Sequence, residues 1–209
     1  GHYLYHHRFE PDPAGRARCL CWIEPDNHCI DFVRTRAALL SPLPSPVLLW
    51  LEQPLSGLWD PLGRIFGQEA VTYDYKWARS VNEHGAGTRA HMDYVYMGQG
   101  SQQVHTMWVP MGDVSRDNGP MVILDKSHKS PGTQKIRETY GQMDVDRDAT
   151  DGHFTNDYHE LSDLTNTKWL FGDFEAGDVT IMGLHLFHGS LRNELPKIRF
   201  TCDVRFQPA

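Results

Sequence analysis

Two short clusters, far apart in the chain, carry side chains suited to holding a metal ion. Arg89-Ala-His91-Met-Asp93 offers an imidazole and a carboxylate two residues apart, and Gly183-Leu-His-Leu-Phe-His188-Gly-Ser190 offers another imidazole. Two neutral imidazoles and one carboxylate on one face of an octahedral Fe(II) leave three adjacent positions open, which suits a chelating cosubstrate and oxygen. Eleven residues after His188 comes Arg199, in Lys-Ile-Arg-Phe-Thr201. Its planar guanidinium suits a carboxylate, gripped in two parallel hydrogen bonds with the Thr201 hydroxyl assisting.

Neither cluster is specific alone. With 12 histidines and 18 aspartates in 209 residues, chance supplies about one His-x-Asp triplet, and the chain has one. The weight lies in conjunction. His185 competes with His188 for the third ligand position, but only His188 is followed by Gly-Ser and by an arginine at that spacing.

The elements that must position these residues read as short strands. On a strand, residues i and i+2 face one side, so His91 and Asp93 can address one ion. His188 ends the apolar segment 179–187, and residues 198–206 alternate cleanly: Arg199, Thr201, Asp203 and Arg205 on one face, Ile198, Phe200, Cys202, Val204 and Phe206 on the other. In an open antiparallel sheet the polar set faces water; in a barrel with a polar lumen it faces inward. Further β-rich segments at 71–77, 104–111, 121–124 and 178–184 are punctuated by Gly, Pro, Asn and Asp. Residues 45–51 and 55–66 carry apolar residues at helix-like spacing, with Gly67 as a stop.

Helices ahead of many short strands point to a mainly β fold with flanking helices, a jelly roll or double-stranded β-helix of the cupin kind. We expect one domain over residues 1–209, with 1–70 as N-terminal and helical flank and 71–209 as the jelly-roll core. Residues 130–168 are polar, acidic and without sustained periodicity, a candidate lid. Residues 1–45 show no clear periodicity, and their abrupt start suggests a trimmed N-terminus.

Composition narrows the partners. A net charge of −7 gives no overall attraction for phosphate backbones or anionic membranes. We expect a small-molecule substrate, no nucleic acid, no membrane and a soluble, cytoplasmic protein. Cys19, Cys21 and Cys29 crowd together with Cys202 apart, which suggests reduced thiols. A zinc site at Cys19, Cys21, His28 and Cys29 lacks a second paired element. Asp144-Val-Asp146-Arg-Asp148 departs from a calcium loop at Ala149 and Thr155, so a solvated loop is expected there.

Taken in order, His91-Met-Asp93, Trp108-Val-Pro-Met111, Asp117-Asn-Gly-Pro120, Ser127-His128-Lys129, Gly177-Asp178, His188-Gly-Ser190 and Arg199-x-Thr201 resemble the phytanoyl-CoA dioxygenase (PhyH) family, over about residues 70 to 209. Within it the chain looks most like bacterial and fungal hydroxylases of secondary metabolism, terpenoid hydroxylases included. The resemblance implies an Fe(II)- and 2-oxoglutarate-dependent dioxygenase that uses O2 to hydroxylate or otherwise oxidise a C–H bond, releasing succinate and carbon dioxide. It makes His91, Asp93 and His188 the iron ligands and catalytic residues, and Arg199 with Thr201 the anchor of the distal 2-oxoglutarate carboxylate. Ser190, Trp108 and Lys76 become further cosubstrate contacts. Related halogenases replace the ligand carboxylate with a small residue, so Asp93 favours hydroxylation. One departure stands out: relatives usually carry Pro-Gly before Ser-His where this chain has Asp125-Lys126.

Substrate contacts are assigned to Tyr75, Tyr94, Tyr96 and Arg205, with Tyr73, Trp77 and Met97 able to join an aromatic pocket. Two other readings compete. An AlkB-like nucleic-acid dealkylase fits the arginines at 199 and 205 but lacks a basic stripe. A catalytically inactive jelly-roll binding module would need no intact triad.

Overall fold

The computed structural model describes residues 33–36, 59–176 and 178–209. Along these the chain forms β1 (Val33–Arg36), α1 (Trp59–Phe66), β2 (Ala70–Thr72), β3 (Trp77–Val81), α2 (Tyr94–Met97), β4 (His105–Pro110) and β5 (Met121–Leu124). It continues through α3 (Gln134–Glu138), α4 (Val145–Asp148), α5 (Tyr158–Thr165), β6 (Trp169–Phe171), β7 (Asp178–Gly183), β8 (His188–Ser190) and β9 (Arg199–Pro208). One antiparallel sheet runs β1-β7-β4-β9-β2, with β3 also on β9; a second runs β6-β5-β8. This is the expected jelly roll.

Alternation along the larger sheet sends two sets of side chains to opposite faces, and both faces are covered. Met107 and Val109 of β4, Val179 and Ile181 of β7, and Cys202, Val204 and Phe206 of β9 form one apolar layer under Leu62, with Ile65 and Phe66 of α1 against it. The other face turns into the roll. There Trp108 and Met182 meet Met121, Ile123, Val114, Phe174 and Leu186. The polar set of β9 belongs to this interior: Arg199, Thr201, Asp203 and Arg205 are only 3, 1, 6 and 4% exposed. Ile198 and Phe200 lie outside the α1 layer and remain exposed.

A third cluster covers the smaller sheet. Ala90, Met92, Leu124 and Phe187 pack against Ile136, Tyr140 and Leu161, so residues 130–168 form short helices seated on the roll. Tyr158 of α5 reaches further, donating from Oη to Thr88 O at 2.5 Å and to Ser190 O at 3.1 Å. The acidic run begins with Asp144 capping α4, its Oδ1 accepting from Arg147 N at 2.7 Å.

The segment expected as one strand over 71–77 is two strands. Thr72 pairs with Phe206 and Trp77 with Asp203, so residues 73–76 stand opposite only two residues of β9 and bulge outward. The helix expected over 55–66 is described from Trp59, and Gly67 stops it at φ +66°. The helix expected at 45–51 and the cysteine cluster at Cys19, Cys21, His28 and Cys29 lie outside the described residues. Cys202 is a buried free thiol, its pKa pushed up to about 11 by burial. Among the described residues no helix is long and apolar enough to cross a membrane.

Candidate metal centre

His91 and His188 are brought together by backbone pairing. Each sits on an isolated antiparallel bridge with the other, and the neighbouring Ala90–Thr155 bridge ties the same stretch to the covering segment 130–168. Asp93 does not continue as a strand, contrary to the expectation for His-x-Asp. Its backbone is helical (φ −62°, ψ −21°) and it opens the single turn α2, while Tyr94 N donates to Leu184 O at 3.0 Å. The geometry still turns both side chains one way, because Met92 between them is buried in the opposite cluster. An aspartate before a helix normally caps it through its carboxylate; Asp93 makes no such bond. Its carboxylate is committed elsewhere.

Three ligand atoms converge. His91 Nε2 lies 3.6 Å from Asp93 Oδ1 and His188 Nε2 3.7 Å from the same oxygen, with all three residues buried. His91, Asp93 and His188 form the group suited to a metal ion among the described residues. The tautomers are set from behind: His91 Nδ1 faces Arg89 O at 2.8 Å and His188 Nδ1 faces Leu186 O at 3.0 Å. A carbonyl can only accept, so each Nδ1 carries the hydrogen and each Nε2 presents its lone pair to the centre.

The electrostatics agree. Burial, reinforced by His91, lowers the His188 pKa to about 4 against the pull of Asp93, so the ring is neutral at pH 7. Burial alone would raise the Asp93 carboxyl; Arg205, His188 and His91 overcome it and hold the group well below its usual range. Its second oxygen, Oδ2, accepts from Thr106 Oγ1 and lies 3.7 Å from Arg205 Nη2.

The cleft beside these ligands is lined by Thr88, Trp108, Met121, Met182, Gly189, Ser190, Arg79, Arg199 and Asp203. Arg199 is the unusual wall. It is a buried cation whose pKa burial lowers to about 10, and its Nη1 donates to Gly119 O. Among the described residues its Nε and Thr201 Oγ1 have no hydrogen-bond partner. Buried, unpaired donors of this kind are costly unless an acid meets them. Trp108 sits with its ring 5.9 Å from the guanidinium carbon, and Ser190 Oγ is held by Thr88 N at 2.8 Å. Gly189 leaves no room for a side chain: a Cβ there would stand 2.3 Å from Tyr158 Oη.

The remaining expected contacts divide. Tyr96 stands edge-on to His91, ring centroids 5.6 Å apart, and donates to Asp151 O at 2.8 Å; burial, then Asp93 and Asp151, push its pKa up to about 12. Tyr94 stacks on His185 at 4.4 Å, which leaves His185 outside the ligand set. Tyr75 is 69% exposed, and neither it nor Lys76 lines the cleft, because the bulge at 73–76 carries them outward. Lys76 Nζ donates to Tyr73 O instead. Arg205 faces Asp93 and Asp203, with Nη1 3.6 Å from Asp203 Oδ2. Sequence reasoning missed Thr106 and Arg79: a lone hydroxyl or arginine on a strand carries no signal of which partner it meets. Arg79 lines the cleft and donates from Nε to Asp203 Oδ2 at 2.6 Å.

Known proteins match this architecture. The family model described as Phytanoyl-CoA dioxygenase (PhyH) matches residues 25–201. A curated relative, 1-deoxypentalenic acid 11-beta-hydroxylase of Streptomyces arenae, is 25% identical over 171 residues, covering 77% of this chain and 56% of the relative. The chain thus spans about half the length of that relative. EctD from S. alaskensis, solved with 2-oxoglutarate and 5-hydroxyectoine, superposes with a TM-score of 0.57 at 16% identity, over 86% of this chain and 56% of that one. The non-heme alpha ketoglutarate dependent epimerase SnoN from nogalamycin biosynthesis gives 0.57 at 16% identity, over 92% and 68%. At such identities the structures attest the fold, while the extent of the family match makes the chain a member of the phytanoyl-CoA dioxygenase family.

Proposed function

We propose that this chain is an Fe(II)- and 2-oxoglutarate-dependent dioxygenase that hydroxylates, or otherwise oxidises, a C–H bond of a small molecule of secondary metabolism. The observation that carries the reading is the convergence of His91 Nε2, Asp93 Oδ1 and His188 Nε2, both rings being locked in the ligating tautomer by backbone carbonyls. The donor set fits Fe(II), a borderline ion that takes imidazole and carboxylate and tolerates open positions. The buried, unpaired Arg199 Nε and Thr201 Oγ1 fit the distal carboxylate of 2-oxoglutarate.

Iron with 2-oxoglutarate and O2 would supply the oxidising power, at the expense of cosubstrate decarboxylation. The chain supplies placement. Asp93 provides one anionic oxygen and keeps the other turned to Thr106 and Arg205. Trp108, Met121 and Met182 give the cleft its apolar walls. Arg199 offers the charge that orients a dicarboxylic acid, with Ser190 and Trp108 alongside. Membership of the family, and a relative named as a hydroxylase of 1-deoxypentalenic acid, support a small organic substrate over a nucleic acid. The intact ligand set supports catalysis over an inactive binding module.

The test is turnover. Protein supplied with Fe(II), 2-oxoglutarate and air is expected to consume oxygen and form succinate, slowly without substrate and faster when a panel of terpenoid acids and other small molecules includes the right one. Succinate formation by His91→Ala at the parental rate would overturn the assignment.

A further inference from the structure

Thr106 and Arg205 lie directly opposite each other on β4 and β9, and both point inward. This cross-strand pair meets the ligand carboxylate. Asp93 Oδ2 accepts from Thr106 Oγ1 and lies 3.7 Å from Arg205 Nη2, while Asp93 Oδ1 faces the two imidazoles. The same guanidinium spans to Asp203, whose Oδ2 lies 3.6 Å from Nη1 and takes Arg79 Nε at 2.6 Å. Asp93, Arg205, Asp203 and Arg79 therefore form a chain of alternating charge from the ligand to the cleft wall, which Arg79 and Asp203 both line.

A carboxylate left to itself can chelate a metal through both oxygens and occupy two positions. We infer that Thr106 and Arg205 are positioning residues that confine Asp93 to ligation through Oδ1, keeping open a position that a bidentate carboxylate would fill. Two physical features favour this. Oδ2 is already engaged by a hydroxyl and faces a buried cation, so turning it to the metal breaks a charge-assisted contact in a low-dielectric site. The planar fork of Arg205 is also held at both ends by separate carboxylates, which fixes its plane as a single ammonium could not. The inference rests on the iron-site reading above.

The experiment titrates Co(II) alone into metal-free protein and records affinity and the visible spectrum, whose intensity reports coordination number. Thr106→Val, which removes the hydroxyl and keeps the shape, is expected to lower the visible Co(II) absorption as Oδ2 joins the coordination shell, and to shift the affinity by up to about 10- to 100-fold. Thr106→Ser should restore both. Arg205→Lys should lower the absorption in the same way, and the double variant should change by less than the two effects combined, because both act on one oxygen. If Arg205→Lys fails to fold, the threonine pair decides the matter. Parental affinity and spectrum in folded Thr106→Val would overturn the inference while leaving the metal centre intact. Failure of the parent chain to bind Co(II) would instead overturn the oxygenase reading, and this inference with it.

Discussion

His91 and His188 are joined backbone to backbone: each amide donates to the other's carbonyl at 3.0 Å, and their imidazole centroids lie 4.3 Å apart. The spacing of the two nitrogen ligands is therefore built by the β ladder, independently of any ion. A centre spaced by backbone pairing is expected to be preorganised for a metal ion.

That relationship gives the first prediction. Metal-free parent and His188→Ala should melt at similar temperatures, whereas saturating metal should stabilise the parent alone. At a free metal concentration one hundred times Kd the gain is about 2.7 kcal/mol, or roughly 5–10 °C for a chain of this size. Thermal melts with and without Mn(II) check it; an equal rise in both proteins would remove His188 from the site.

Arg199 carries the second. Replacing it with Met removes the buried cation without touching the ligands, so Mn(II) affinity should hold while 2-oxoglutarate binding weakens by about 2–5 kcal/mol, the usual range for a buried hydrogen-bonded charge pair. Calorimetric titration of 2-oxoglutarate into Mn(II)-loaded protein reads this. Unchanged cosubstrate affinity would remove Arg199 from its assigned role.

Lys126 explains the one motif departure. The turn before Ser127 survives without the Gly that relatives carry, because Lys126 adopts the left-handed conformation at φ +52° and remains exposed. Ser127 keeps its place, its Oγ accepting from Phe187 N at 2.8 Å. A non-glycine residue there costs about 1–2 kcal/mol, so Lys126→Gly should raise stability by about 1 kcal/mol at unchanged turnover. Denaturant unfolding measures the gain; a loss of stability would contradict it.

Much of this was legible in the sequence, and the remainder failed for identifiable reasons. Period-two alternation over residues 198–206 marked β9 and the face shared by Arg199 and Thr201, but alternation has no sign: only the α1 layer over Cys202, Val204 and Phe206 sends the polar set inward. The same ambiguity misled the aromatics, since Tyr75 shares β-like spacing yet sits in an outward bulge created by β9 pairing. Strand β8 is three residues including a glycine and exists because β5 pairs with it, a partner no local pattern names. The helical turns between 130 and 168 are three to eight residues long, too short for a 3.6-residue period to emerge. Thr106 and the Asp93–Arg205 contact depend on register between strands, which spacing alone does not encode.

His105 supplies a pH prediction away from the ligands. It is buried on β4, with Nδ1 facing Gln103 O at 2.9 Å, its ring edge-on to Phe66 and Nε2 without a partner. Burial lowers its pKa below the ordinary imidazole value of 6.5, outweighing the Gln103 carbonyl. The unfolded chain therefore takes up this proton first, and the stability tied to the neutral ring is full above about pH 6.5 and declines as pH falls below it. The melting temperature of metal-free protein should drop between pH 7 and pH 5, and His105→Asn should remove part of the drop. Identical slopes in calorimetry would contradict this.

If His91, Asp93 and His188 hold one Fe(II) together, anaerobic titration of Fe(II) into the metal-free chain must reveal it. Saturation at one equivalent is expected for the parent, with that binding lost in Asp93→Ala and His188→Ala. Folded Asp93→Ala or His188→Ala binding Fe(II) as tightly as the parent would contradict it.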